Sequence, residues 1–271
     1  MSRYQKTFQA CHSENRIAFI PFVVIGDPDI DTSIKIIKQL IDSGADALEL
    51  GIPFSDPIAD GPIIQAATIR ALSSGFKIEQ LQTVFQAVRS YNKDIPIGLL
   101  VYANLVMHQG MENFIKLCKQ WDVDSLLVPD IPTEEAQLIL PLLKQHQIES
   151  VFIAPPNASA QTLQQVAEYS QAYTYVLGRK GITGTHDAAE QTSTEHVSTL
   201  QKFNAPPLVQ GFGISKPEHI QQARKAGLDG AICGSAIVDL IHQSHSSDAS
   251  FEQTLEKLNL FIQKMLTASK K

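Results

Sequence analysis

Glu49 stands between Leu48 and Leu50 in a short apolar run, and Asp56 and Asp60 follow in a loop with three prolines and two glycines. Successive side chains of a strand point to opposite faces, so Leu48 and Leu50 share one face and Glu49 takes the other. A carboxylate in a run that is otherwise buried costs free energy unless something uses or satisfies it. The plain alternative is an edge strand with Glu49 in water. Two carboxylates in unlike surroundings can divide acid and base roles between them, which makes Glu49 and Asp60 a candidate proton-handling pair. No lysine ends a candidate strand, which argues against Schiff-base chemistry. No histidine joins the acids, so no metal site is expected there.

The elements that must position these acids alternate along the whole chain. Candidate strands cover residues 18–25, 47–50, 97–102, 125–129, 150–154, 173–177, 207–210 and 230–233. Most are near-continuous apolar runs, as expected of parallel strands covered on both faces. Helical patterns fall at 31–43, 63–72, 78–91, 133–145, 160–169, 217–226 and 251–265, with Tyr4 and Phe8 at helical spacing near the start. Ser215 precedes Lys216-Pro217 as a candidate cap. Eight strand–helix alternations predict a (β/α)8 barrel, α/β in class, formed by residues 1–271 as a single domain. Additional helices are expected at the N-terminus and in the insertion after the second strand. The rival doubly wound sheet should show G-x-G-x-x-G in its first turn, where this chain has Gly26-Asp27-Pro28-Asp29.

Chemistry in such barrels sits at the C-terminal ends of the strands. Glu49 is then expected to face the axis near that end, among Phe22, Leu100, Leu127 and Tyr175, with its pKa raised toward neutrality by burial. Asp60, in the following loop, is expected to be more hydrated and ionised. The sixth, seventh and eighth strands end in Gly178-Arg179-Lys180-Gly181-Ile182-Thr183-Gly184, Gly211-Phe212-Gly213-Ile214-Ser215 and Gly234-Ser235. Glycines let backbone N–H groups approach an anion closely, so Gly184, Gly213, Gly234 and Ser235 are the expected phosphate contacts. The pattern suggests a ligand with a phosphate at one end, an apolar ring at the other and acid–base chemistry between.

The chain has 271 residues, 44% hydrophobic and 18% charged, with a formal net charge of −6 and no basic tract. Nucleic acid is therefore an unfavoured partner. Cys11, Cys118 and Cys233 are far apart and form no C-x-x-C, which suits reduced thiols in a cytoplasmic protein. Cys118, spaced with Phe114 and Leu117, is expected in the core, and the pair His242 and His245 at an exposed helix end. The apolar run 17–25 is too short to span a bilayer and contains Pro21, and no signal peptide is visible.

The run of residues 48–62, LELGIPFSDPIADGP, resembles the signature of the tryptophan synthase alpha subunit family. So do residues 98–104, Asp130-Ile131-Pro132, 211–215 and 234–238, in order along the chain. The resemblance implies a (β/α)8 barrel lyase that cleaves indole-3-glycerol phosphate into indole and glyceraldehyde 3-phosphate, with no cofactor in this subunit. It implies Glu49 as general acid and base, Asp60 beside the indole N–H, and Tyr175 beside the substrate. Phe22, Leu100, Leu127, Tyr175 and Phe212 match the indole pocket; Gly184, Gly213, Gly234 and Ser235 match the phosphate site; the loop with Thr183 would close over the substrate. It also implies a partner, a pyridoxal-phosphate-dependent beta subunit in an alpha2beta2 heterotetramer. Pro53, Asp56, Asn104, Asp130 and Pro132 match the contact surface. Many members begin the closing loop Ser-Arg-x-Gly; here Gly178 should loosen the hinge and Lys180 adds charge. One alternative is a catalytically weak regulatory subunit that mainly activates the beta subunit, against which both acids speak. Another is an isomerase or synthase barrel of the same pathway; a synthase would be expected to carry a strand-end lysine.

Overall fold

The computed structural model describes residues 1–178, 194–245 and 250–270. Eight parallel strands close on themselves in sequence order: β1 (Ala18–Val24), β2 (Leu48–Gly51), β3 (Ile97–Leu100), β4 (Ser125–Leu127), β5 (Glu149–Ala154), β6 (Tyr173–Leu177), β7 (Leu208–Gly211) and β8 (Gly230–Cys233). This is a (β/α)8 barrel, as the alternation predicts. The period of two divides each strand between two cores. Phe19, Val23, Leu48, Leu50, Leu99 and Cys233 pack outward beneath the helices, while Ile20, Phe22, Leu127, Tyr173, Tyr175 and Ile232 fill the barrel itself.

The surrounding helices are α1 (Arg3–Ser13), α2 (Ile30–Asp42), α3 (Pro62–Ser73), α4 (Leu81–Tyr91), α5 (Ala103–His108), α6 (Met111–Gln120), α7 (Leu140–His146), α8 (Ala160–Tyr169), α9 (Thr194–Lys202), α10 (Pro217–Lys225), α11 (Ser235–His245) and α12 (Phe251–Ser269). The N-terminal helix is α1, and the extra helix after β2 is one of the pair α3 and α4. Cys118 is fully buried in the core formed with Phe114. The helix expected over 133–145 divides into a 3₁₀ turn, Thr133–Leu138, and α7. Pro141 falls in the first turn of α7, where its missing N–H costs nothing but prevents one continuous helix. Lys216, not Ser215, holds the cap position of α10 and makes no side-chain cap bond.

The N-terminal end of the barrel forms a floor closed by α1. A Ser2–Gln5 capping box starts this helix, which buries Tyr4, Phe8 and Cys11. Acids at the floor are tied to cations and to strand amides. Arg3 reaches Asp122 at 2.6 Å and Asp124 at 2.8 Å, and Arg89 reaches Asp124 at 2.6 Å. Arg16 makes two 2.8 Å bonds to Asp46. Asp46 accepts the N–H of Phe19, and Asp124 that of Ile97. Among the described residues no helix is long and apolar enough to cross a membrane.

Candidate active site

Glu49 lies on β2 in register with Phe22 of β1 and Gly98 of β3, and is 2% exposed. The phenol of Tyr173, the first residue of β6, donates to Glu49 Oε1 at 2.9 Å. Burial pushes the Glu49 carboxyl up to about 7; the Tyr173 bond opposes this and the charge of Asp60 adds to it. Beneath Tyr173 lies the Tyr4 ring of α1, centroid to centroid 5.6 Å, and Ser125 Oγ donates to Tyr4 Oη at 3.0 Å. A ladder of phenols therefore runs from the floor to Glu49.

Asp60 closes the loop between β2 and α3. It is half-buried, and so more hydrated than Glu49. Burial raises its carboxyl to about 6, and a hydrogen bond from Tyr102 works against the rise. The Tyr102 hydroxyl also accepts the N–H of Ala59 at 3.1 Å, and its ring stacks on Phe54 at 5.3 Å. Tyr102 thus latches the loop to the end of β3. Among the described residues neither Glu49 nor Asp60 has a basic partner within ion-pair distance.

The two acids open onto a pocket lined also by Phe22, Ile64, Leu100, Tyr175, Phe212, Gly213, Ile214, Ser215, Ile232, Gly234 and Ser235. A wider hollow adjoins it through Asp60, Leu100, Tyr175 and Phe212, and takes in Leu127, Asp130 and Pro132. Tyr175 and Phe212 meet edge to face at 6.1 Å. The Tyr175 ring fills the space that a Cβ on Gly211 would need, so residue 211 has no room for a side chain. Phe212 and Gly213 both take positive φ, +67° and +76°, and this turn delivers the chain from β7 toward α10. On the far side, α11 begins at Ser235 directly after Gly234, so its positive end meets the pocket wall. The arrangement offers an apolar slot, two acids of raised pKa and a glycine-lined anion end.

Of the residues singled out from sequence, Phe22, Glu49, Asp60, Leu100, Tyr175, Phe212, Gly213, Gly234 and Ser235 line one pocket, and Leu127 lines the adjoining hollow. Thr183 and Gly184, with Arg179 and Lys180, lie outside the described residues. Gly178 is buried, its N–H 3.4 Å from the Gly211 carbonyl. Asp56, Asn104 and Pro132 are exposed, Pro53 is buried, and Asp130 accepts the N–H of Ala103 at 2.9 Å, joining the loop after β4 to α5. In the sequence Tyr173 has a place beside Tyr175 but no role, and Tyr102 has none either. Tyr173 shares its strand face with Tyr175, which was a usable signal. Tyr102 lies past the end of β3, where strand alternation no longer says where a side chain points.

A closed parallel barrel with a pair of acids at its C-terminal mouth defines a (β/α)8-barrel enzyme class equipped for proton transfer on a partly apolar ligand. Comparison with known proteins narrows this. The pattern of the tryptophan synthase alpha chain family matches residues 8–270. The tryptophan synthase alpha chain of Proteus mirabilis is 47% identical over 270 residues, 99% of each chain, and that of Francisella tularensis 47% over 268 residues, 99% of this chain and 98% of the other. Among solved structures, tryptophan synthase of Mycobacterium tuberculosis superposes with a TM-score of 0.88 at 26% identity, over 100% of this chain and 99% of the other. The alpha chain from Legionella pneumophila does so with 0.87 at 26%, over 99% and 97%. The chain belongs to the tryptophan synthase alpha chain family.

Proposed function

We propose that Glu49 and Asp60 share the proton handling of a retro-aldol cleavage in this pocket. By its family the chain is a carbon–carbon lyase of tryptophan biosynthesis that cleaves indole-3-glycerol phosphate to indole and glyceraldehyde 3-phosphate. In this reading the protonated Glu49 carboxyl delivers a proton to indole C3. The bond from C3 to the glycerol chain then breaks as the resulting carboxylate takes the proton of the adjacent hydroxyl, which becomes the aldehyde. Ionised Asp60 accepts the indole N–H and offsets the positive charge that builds on the ring. Phe22, Leu100, Leu127, Tyr175 and Phe212 hold the ring. Gly213, Gly234 and Ser235 hold the phosphate, with Gly184 and the closing loop at Thr183 added on the sequence alone. The observation that carries the reading is the pairing of two acids, without basic partners and with raised pKa, at the end of an apolar slot.

The reaction draws on the chain's own carboxylates and calls for no cofactor in this subunit. Membership of the family implies a complex with a beta subunit, where pyridoxal phosphate is expected. In the proposed alpha2beta2 assembly Asp56, Asn104, Asp130 and Pro132 form the contact, with Pro53 buried beneath it, and indole passes to the partner. The absence of a long apolar helix among the described residues fits a cytoplasmic enzyme, with residues 1–271 working as one domain. Indole release from indole-3-glycerol phosphate, by the isolated chain and with the beta subunit added, tests the assignment. Release by the wild type and its loss in Glu49→Gln are expected. Turnover near wild type in Glu49→Gln would remove Glu49 from the acid–base role.

A further inference from the structure

Behind the anion end of the pocket lies a titratable group that the cleavage reaction does not use. His219 stands in the first turn of α10, four residues after Ser215, and Ser215 lines the pocket beside Gly213 and Gly234. The Ser215 backbone N–H donates to His219 Nδ1 at 3.2 Å, and Ser215 Oγ lies 3.4 Å from the same nitrogen. We infer that His219 is a positioning residue for the phosphate end, and that anion binding there and protonation of its imidazole favour one another. The inference rests on the reading of Gly213, Gly234 and Ser235 as the phosphate contacts.

The argument turns on the nitrogen lone pair. Nδ1 accepts the Ser215 N–H only while it carries no proton. In that state the ring holds the loop after β7 by occupying one of its backbone donors. Protonation at Nδ1 ends the acceptance, frees the Ser215 N–H, and places a positive charge beside the pocket. Both changes favour an anion. By linkage, an anion in the pocket must favour the protonated ring to the same degree. Without an anion, burial holds the imidazole below its ordinary value, and the charge of Lys216 acts the same way. Glu218 and the Gly213 carbonyl act against them. Among the described residues no charged group of β8 or α12, which pack on α10, is among those acting on the ring.

Sulfate serves as the probe, because it stays doubly charged from about pH 5 to about pH 8, where histidine titrates. The His219 ring resonances are followed by NMR against pH, with and without sulfate, and sulfate inhibition of cleavage is measured over the same range. The expected result is competitive inhibition that tightens about threefold or more toward low pH, and a His219 midpoint that rises by about half a unit with saturating sulfate. His219→Gln retains an oxygen that can accept the Ser215 N–H but cannot titrate. It should flatten the pH dependence of sulfate inhibition and of KM, while the limbs of the kcat profile stay in place. Competitive sulfate with an unmoved His219 midpoint, or a pH dependence that survives in His219→Gln, overturns the inference and leaves the phosphate-end reading standing. Sulfate that fails to compete with substrate at any pH overturns both.

Discussion

Three acids at the floor and the two acids of the pocket are held in opposite ways. At the floor, burial would raise the Asp122 carboxyl, but the guanidinium groups of Arg3 and Arg89 hold it below its ordinary value. Asp124 and Asp46 are likewise tied to arginines and to strand amides. At the mouth, Glu49 and Asp60 have phenols for neighbours, and burial moves both upward, to about 7 and about 6. A phenol satisfies a carboxylate oxygen without cancelling its charge, so the group stays within reach of a proton near neutrality. Ion pairing ties Asp46, Asp122 and Asp124 to the closure of the barrel; its absence leaves Glu49 and Asp60 free to exchange protons.

Removing the acid with the larger shift should break the contrast most visibly. Glu49→Gln is expected to lower indole release by roughly a hundred-fold or more. The same substitution should stabilise the fold at alkaline pH. The Glu49 carboxyl is raised in the native state, so from its unfolded value up to about 7 the native chain binds more protons, and stability falls as pH rises. Below the unfolded value the two proteins should match; above about pH 8 the variant should lead by on the order of 3 kcal/mol. Urea unfolding at both pH values reads this, and a less stable variant at the alkaline value would refute a buried ionised Glu49.

Asp60→Asn addresses the second acid. The pair should give a bell-shaped profile of kcat/KM with apparent limbs near 6 and near 7, rising as Asp60 ionises and falling as Glu49 loses its proton. The variant should lose the acidic limb and roughly ten- to a hundred-fold of rate. Its alkaline limb should move down, because the Asp60 charge helps to raise Glu49. An acidic limb that persists in the variant belongs to another group.

At the floor the expected loss is of stability. Arg89→Met leaves Asp124, 11% exposed in its side chain, with one cation fewer, and should cost about 3 kcal/mol. Turnover per folded molecule should hold. Displaced pH limbs in this variant would show that the ladder Tyr4–Tyr173–Glu49 carries floor disturbances to the mouth. The smallest effect belongs to Tyr173→Phe. Its hydrogen bond lowers the Glu49 pKa, so its loss should shift the alkaline limb upward, and an unmoved limb would leave that bond without influence on the reacting proton.

The strand alternation was legible because a parallel barrel buries both faces of every strand, and eight short apolar runs record that burial directly. The inward aim of Glu49 was legible for the same reason: Leu48 and Leu50 could only go under the helices. The degree of burial of Asp60 had no periodic signal, because a loop has no period; its bond with Tyr102 forms only once the barrel closes. Gly211 reads in sequence as one more strand-end glycine, and the Tyr175 ring that excludes a side chain there comes from the neighbouring strand.

By itself the sequence determined the closed (β/α)8 topology, the face on which Glu49 stands and the glycine-rich ends of the last strands, since each follows from local spacing and a burial period of two or 3.6. Only the tertiary structure decided that Tyr173 rather than a cation meets Glu49, that Asp60 is latched by Tyr102, and that His219 holds Ser215 at the anion end. Burial sets the proton affinities of the two acids and the bonds from Tyr173 and Tyr102 adjust them. Most of these contacts join residues far apart in the chain, so their distances exist only after the strands have closed.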